Sequence, residues 1–274
     1  MIKFAFPLCI LLSLTSLGQD GATLSMHFSP NTIYRQNTIT KSSNKLYYYG
    51  SAEFLRTIKE QGIENPLLTK EVSTVEVIFS TGQVNETGRF PLEIEYVKAD
   101  KADGQKLLPE GTIIFGTATS DELPTIDSIS SGGISEEERQ TMQEIIRSTF
   151  PQIDFPDKTM NVGDTFKQEI PISYPVGVAT MSMVITSVYR LKSIKKKIAY
   201  FDIVQWYTVD ASGSPFALSG SGSGKGKIKY NMEYNYPIEY RTALKIDMQM
   251  EYDSFNLKLN QESTFVQKVE IAKR

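Results

Sequence analysis

His27 is the one histidine of this chain and Cys9 the one cysteine. A zinc site draws most of its ligands from those two residue types, so soft-metal chemistry has almost nothing to use. A serine nucleophile would need His27 as its base, yet His27 alternates with Met26 and Phe28, the pattern of a strand surface. Gly220-Ser221-Gly222-Ser223-Gly224 has the Gly-x-Ser-x-Gly spacing of a nucleophile elbow. An elbow turns from a strand into a helix, whereas here the chain runs on as Lys225-Gly226-Lys227-Ile228-Lys229-Tyr230, a strand pattern, and the motif is rejected. Glu93 with Glu95, and Asp247 with Glu251, have the even spacing of a solvated strand face. Glycosidase chemistry needs two carboxyls at a set separation across a cleft, which such spacing does not supply. No Asp- and Asn-rich loop has the spacing of a calcium site. The expectation is a protein that is not an enzyme and takes no cofactor or metal.

Two short modification signals remain. Asp127-Ser128-Ile129 matches an O-glycosylation signal of some Gram-negative secretion systems, with Ser128 as acceptor, and Asn85-Glu86-Thr87 is the N-linked form.

Lys3 followed by the apolar run Phe4 to Leu17 reads as a secretory signal, too short to span a bilayer comfortably. Small residues at 16 and 18 place cleavage between Gly18 and Gln19, with an uncleaved anchor as the alternative. Cys9 follows Leu8 rather than a small residue, which is no context for lipid modification. Cleavage leaves no cysteine, so stability must come from sheet and core rather than disulfides. The destination is secreted or periplasmic, and no later segment is apolar and long enough to be transmembrane. With a net charge of −3 and one basic cluster, Lys195-Lys196-Lys197, read as a hairpin turn, nucleic-acid binding finds no support.

The elements that must position any site are mostly strands. Residues 23–29 and 32–40 read as strands around a Pro30-Asn31 turn, and Ser51 caps a short helix carrying Phe54, Leu55 and Ile58 that Gly62 ends. Residues 70–80, 89–98 and 112–119 follow as strands, with 120–133 as linker or exposed loop. A second helix opens at the capping box Ser135 to Glu138. Val162-Gly163-Asp164 then supplies a turn before a long run of alternating strands. Residues 198–209, apolar on both sides and including Trp206, read as a central strand covered on both faces. The last three strands, at roughly 3.4 Å per residue, reach about 50 Å, a length suited to a curled sheet or barrel. A weak internal repeat relates Tyr34-Arg35-Gln36 to Phe166-Lys167-Gln168, each followed by two strands and then a glycine-bearing one near Gly116 or Gly220.

From Ser219 to Tyr236 the alternation holds for eighteen residues, with Gly220, Gly222, Gly224 and Gly226 at one end of a face and Tyr230 and Tyr234 at the other. Either another element packs against that bare backbone or space is left for a ligand, with these six residues as its candidate wall.

The motif Phe-Pro-x-Lys-x-x-x-Val-Gly-Asp-Thr-Phe, Phe155 to Phe166, together with the Gly-x-Gly strand and the Met- and Tyr-rich terminal strands, resembles an uncharacterised family of secreted bacterial β proteins. That resemblance supplies no activity. The architecture also looks like the lipoprotein-carrier class, an unclosed antiparallel β-barrel that holds acyl chains, which is analogy of fold alone. The organisation expected is a signal over 1–18, an N-terminal β part with a short helix over 19–133, and a helix with long antiparallel strands over 134–274, both parts forming one continuous mainly β domain with two short helices. The function expected is a non-catalytic protein binding a hydrophobic lipid or other envelope-derived ligand. A structural or surface-interaction module with a filled core is the alternative.

Overall fold

The computed structural model describes residues 21–104, 106–109, 111–120, 124–132, 153–176, 179–212 and 217–274. The expected signal, with Gly18 and Gln19, and the helix expected from Ser135 lie outside them. The described chain runs β1 (Gly21–Ala22), β2 (Thr32–Gly50), α1 (Ala52–Glu60), β3 (Leu67–Thr81), β4 (Phe90–Lys101), β5 (Ile113–Ala118), β6 (Thr125–Ser130), β7 (Met160–Asn161), β8 (Thr165–Val176), β9 (Ala179–Lys195), β10 (Ile198–Ser212), β11 (Ala217–Asn231), β12 (Tyr236–Glu251) and β13 (Phe255–Lys273). Eleven strands form one antiparallel sheet in the order β6-β5-β4-β3-β2-β13-β12-β11-β10-β9-β8. It is not closed into a barrel. Each half is a meander, and the halves join where β13 pairs with β2 from Gly50↔Phe255 to Thr32↔Lys273. The two-stranded pair β1-β7 stands apart from this sheet.

Local chemistry explains the turns. Lys196 and Lys197 both take positive φ, 48° and 65°, as a two-residue hairpin with the right twist requires. Gly163 sits at φ 103°, and the Asp164 carboxylate accepts from the Asn161 amide at 2.8 Å. Ser51 caps α1, its Oγ accepting from Phe54 N at 3.2 Å, and Gly62 ends it at φ 74°. Ile58 is buried on that helix, whereas Leu55 is exposed.

Several expectations need correction. Residues 23–29 are not a strand. They cross the strand ends as an irregular plug, with Leu24 in one core, Phe28 in the other and Met26 packed on both. The loop expected over 120–133 contains β6. Its two isoleucines, three residues apart, break simple alternation, but a bulge at Phe115/Gly116 absorbs one residue and buries both Ile126 and Ile129. Strand β10 is covered on one face only. Phe201, Ile203, Gln205, Tyr207 and Val209 point inward, and Trp206 on the other face is 46% exposed. Among the described residues there is one helix, α1, rather than two.

Two cores fill one end of the sheet. In the first, Phe28 lies 5.2 Å from Tyr34 and 5.5 Å from Phe79 between ring centroids. In the second, Phe155 lies 5.4 Å from Phe166, and Phe166 stacks on Tyr189 at 4.7 Å. Tyr34 pairs in register with Phe79 just as Phe166 pairs with Tyr189. The repeat read from three residues is therefore a repeat of packing.

Gly163→Val forces a branched side chain into a left-handed backbone. It is expected to cost more than the ~1 kcal/mol of an ordinary substitution. Urea melts of the two proteins check this, and an unchanged midpoint would show that the turn does not organise the fold.

Candidate functional site

The even residues of β11, from Leu218 through Gly220, Gly222, Gly224, Gly226 and Ile228 to Tyr230, share the inner face. Across from the glycines stand Met248, Ile246, Leu244 and Thr242 of β12. A Cβ on Gly222 would meet the Lys245 carbonyl oxygen at 2.5 Å and Ile246 Cγ1 at 2.8 Å. One on Gly220 would meet Met248 Cγ at 2.8 Å, and one on Gly226 would run into the Arg241 carbonyl. Side chains are missing here because β12 folds tightly over β11, and the element that packs on bare backbone is the neighbouring strand itself. Gly116 plays the same part in the first half, where a Cβ would strike the Thr125 carbonyl of β6.

The strand ends at Asn231, earlier than the alternation implied. Residues 232–235 form a turn with Asn235 at φ 49°, so Tyr234 lies off the inner face, beneath Lys273 Nζ at 5.9 Å from its ring centroid. Tyr230 stays on that face and is fully buried, its hydroxyl donating to the Ser25 carbonyl and its ring edge-on to Phe155 at 5.1 Å. The four glycines and Tyr230 thus share one strand face, with Tyr230 at the filled end and Gly220 in register with Met248 toward the other, and Tyr234 is not on it.

A polar network sits beside the glycines. Gln205 pairs in register with Gly224. Its Nε2 donates to Ser187 Oγ at 3.0 Å, and Tyr207 Oη donates to its Oε1 at 2.9 Å. Burial raises the Tyr207 phenol to about 12, with Tyr189 a second cause. Burial likewise raises Tyr230, Tyr236 and Tyr240. A neutral phenol is what a low-dielectric interior favours.

Toward the other end the inner face is lined but not filled. Met248, Leu259, Leu46 and Leu67 fall in one register row across β12, β13, β2 and β3, each half-buried, with Met250, Leu257 and Tyr48 beyond. Phe54 of α1 stacks on Phe255 at 4.8 Å beside that opening. One row deeper, Asn44 faces Gln261, and Asn44 Oδ1 is buried without a hydrogen-bond partner. The alternation of β12 and β13 announced Met248, Met250, Leu257 and Leu259 as inward. Which end stays open was missed, because alternation is identical at both ends. Ser128 is exposed on the edge strand β6, and Asn85 Oδ1 is held by Thr87 and Arg89 in a surface turn.

No family model matches this chain, and no curated protein does either. Among solved structures, a BenF-like porin from Pseudomonas fluorescens Pf-5 is similar at 8% identity and a TM-score of 0.24, over 87% of this chain and 99% of the porin. Pseudomonas aeruginosa OccK2 (OpdF), solved in complex with glucuronate, is similar at 6% identity and a TM-score of 0.16, over 86% of this chain and 96% of that one. Likeness this slight says nothing of this chain's fold or activity.

Gly222→Ala is expected to cost about 1–3 kcal/mol through overpacking. Gly224→Ala, whose Cβ would stop 3.1 Å from the Ala243 carbonyl, should cost less. Equal midpoints in urea for the two variants would sink the tight-curl explanation.

The buried tyrosines make an alkaline limit. Burial holds their folded pKa values above the ordinary phenol value of about 10, so their contribution to stability is whole below about pH 10 and is lost as pH rises toward about 12. Absorbance at the phenolate band should show exposed tyrosines ionising first and the buried set only together with loss of the circular-dichroism strand signal. Ionisation of all tyrosines in one early, reversible phase would contradict this.

Proposed function

We propose that this protein is a non-catalytic binding protein for an amphipathic, lipid-like molecule of the envelope, working in the periplasm or outside the cell. The observation that carries it is the row Met248, Leu259, Leu46 and Leu67, half-buried on the inner face of the same sheet whose opposite end is filled by two aromatic cores. Apolar area left open on a concave face gains about 25 cal/mol per Å² when an acyl chain covers it. Methionine among those residues adapts to an irregular chain. The Asn44 carbonyl one row deeper offers an acceptor to a hydroxyl or amide of the ligand, a bond that would relieve its buried, unpartnered oxygen. The glycine stripe serves this reading by setting the curl that makes the face concave, rather than by touching the ligand.

The rival is a structural module without a ligand. It is supported by the filled end, where Tyr34 and Tyr230 have no exposed surface at all.

Purification from the native envelope followed by native mass spectrometry should reveal a bound lipid. Titration with laurate or a lysophospholipid should raise the melting temperature, as about 2.7 kcal/mol of stabilisation at a hundredfold excess over Kd implies. Leu259→Gln and Met248→Gln, at half-buried positions, should weaken that response at least tenfold while leaving the unliganded fold intact. A protein that carries no lipid and whose melting ignores both probes is the filled module instead.

A further inference from the structure

Trp206 is the only tryptophan of the chain, and it stands 46% exposed on the outer face of β10. Thr186 of β9 and Ser223 of β11 flank it in register, neither large enough to cover an indole. One register row toward the filled end, the same face reads Val188, Val204 and Lys225. The next row reads Arg190, Asp202 and Lys227, and continues to Arg241 on β12. The carboxylates beside this band are already engaged: Asp202 by Lys192 at 3.4 Å, and Glu239 by Lys229 at 2.7 Å and by Arg241. Arg190, Lys225 and Lys227 make no ion pair among the described residues. A chain of net charge −3 thus carries uncompensated cations gathered beside its one tryptophan. Asp210, four residues along β10 from Trp206 in the opposite direction, bounds the basic region.

We propose that this outer face docks the protein on an anionic lipid surface. The indole enters the headgroup layer, where tryptophan is at home at membrane interfaces because its ring is apolar and its N–H can still be hydrated. Arg190, Lys225 and Lys227 meet the lipid phosphates, their aliphatic stems lying along the valines. The complementarity of charge favours an anionic surface over a neutral one, and the indole with its two valines favours lipid over a purely polar polyanion. The surface lies on the opposite side of the sheet from the proposed ligand row, so it does not depend on that site.

Trp206 reports on its own environment, since no other indole contributes to emission. With vesicles of phosphatidylcholine and phosphatidylglycerol, the full chain should co-sediment, its emission should shift to the blue, and brominated acyl chains should quench it. With phosphatidylcholine alone these responses should be at least tenfold weaker, and raised salt should abolish them in the mixed vesicles. K225E/K227E should remove binding, and W206S should weaken it severalfold, each with an unchanged circular-dichroism spectrum. Should a variant fail to fold, quenching of the unaltered protein by brominated lipid decides by itself. Absence of quenching, equal binding to neutral vesicles, or a blue shift with a soluble sulfated polysaccharide but not with vesicles would each overturn the proposal.

Discussion

The ladder between β2 and β13 is the constraint on which the rest of this molecule depends. Each half of the chain could form a meander from hairpin contacts alone, but only this ladder joins the halves into one sheet. It runs the full 19 residues of β2 and pairs Thr32 with Lys273, near opposite ends of the described chain. Closing so long a loop costs entropy that grows only slowly with length, so the equilibrium price is modest. The kinetic cost is larger, because such non-local pairing forms after the local hairpins.

Curvature is the second consequence of backbone chemistry. Gly116 in one half and Gly220 to Gly226 in the other stand where a side chain would strike the next strand, so the sheet turns in on itself there. The curl gives the two faces different tasks. Inward, aromatics fill one end and leave half-buried aliphatics at the other. Outward, charged residues recur along the strands, interrupted by apolar ones such as Ile39 and Val266 on β2 and β13 and Val188, Val204 and Trp206 on β9 and β10.

The halves are alike in packing and unlike in outcome. In each, a phenylalanine that precedes the first strand packs on that strand's aromatic, which pairs with a second-strand aromatic: Phe28, Tyr34 and Phe79, then Phe155, Phe166 and Tyr189. The segments leading into the two first strands even pair with each other, as β1 with β7. Counting strands outward from β2 and from β8, only β13 lacks a counterpart among the described residues, and β13 is the strand that bonds the halves together.

Sequence alone determined the mainly β class, the Gly163 and Lys196-Lys197 turns, α1 with its Ser51 cap, and the inward sets of β4, β12 and β13. Those features follow from period, from φ and from capping, all local properties that a few neighbouring residues settle. The poverty of histidine and cysteine was equally plain. Tertiary structure decided the rest. Residues 23–29 alternate like a strand but lie across the strand ends, because the exposed ends of two cores need a plug more than the sheet needs an edge. Tyr234 alternates with Tyr230 yet leaves the face, because the chain must turn at Asn235 to bring β12 back. Trp206 looked like core in an apolar run, but period 2 puts it outward, and nothing in its own neighbourhood could reveal whether a second layer would cover it. The glycine stripe shows the limit most plainly: its spacing announced an absence of side chains, and only the approach of the β12 carbonyls showed what that absence accommodates.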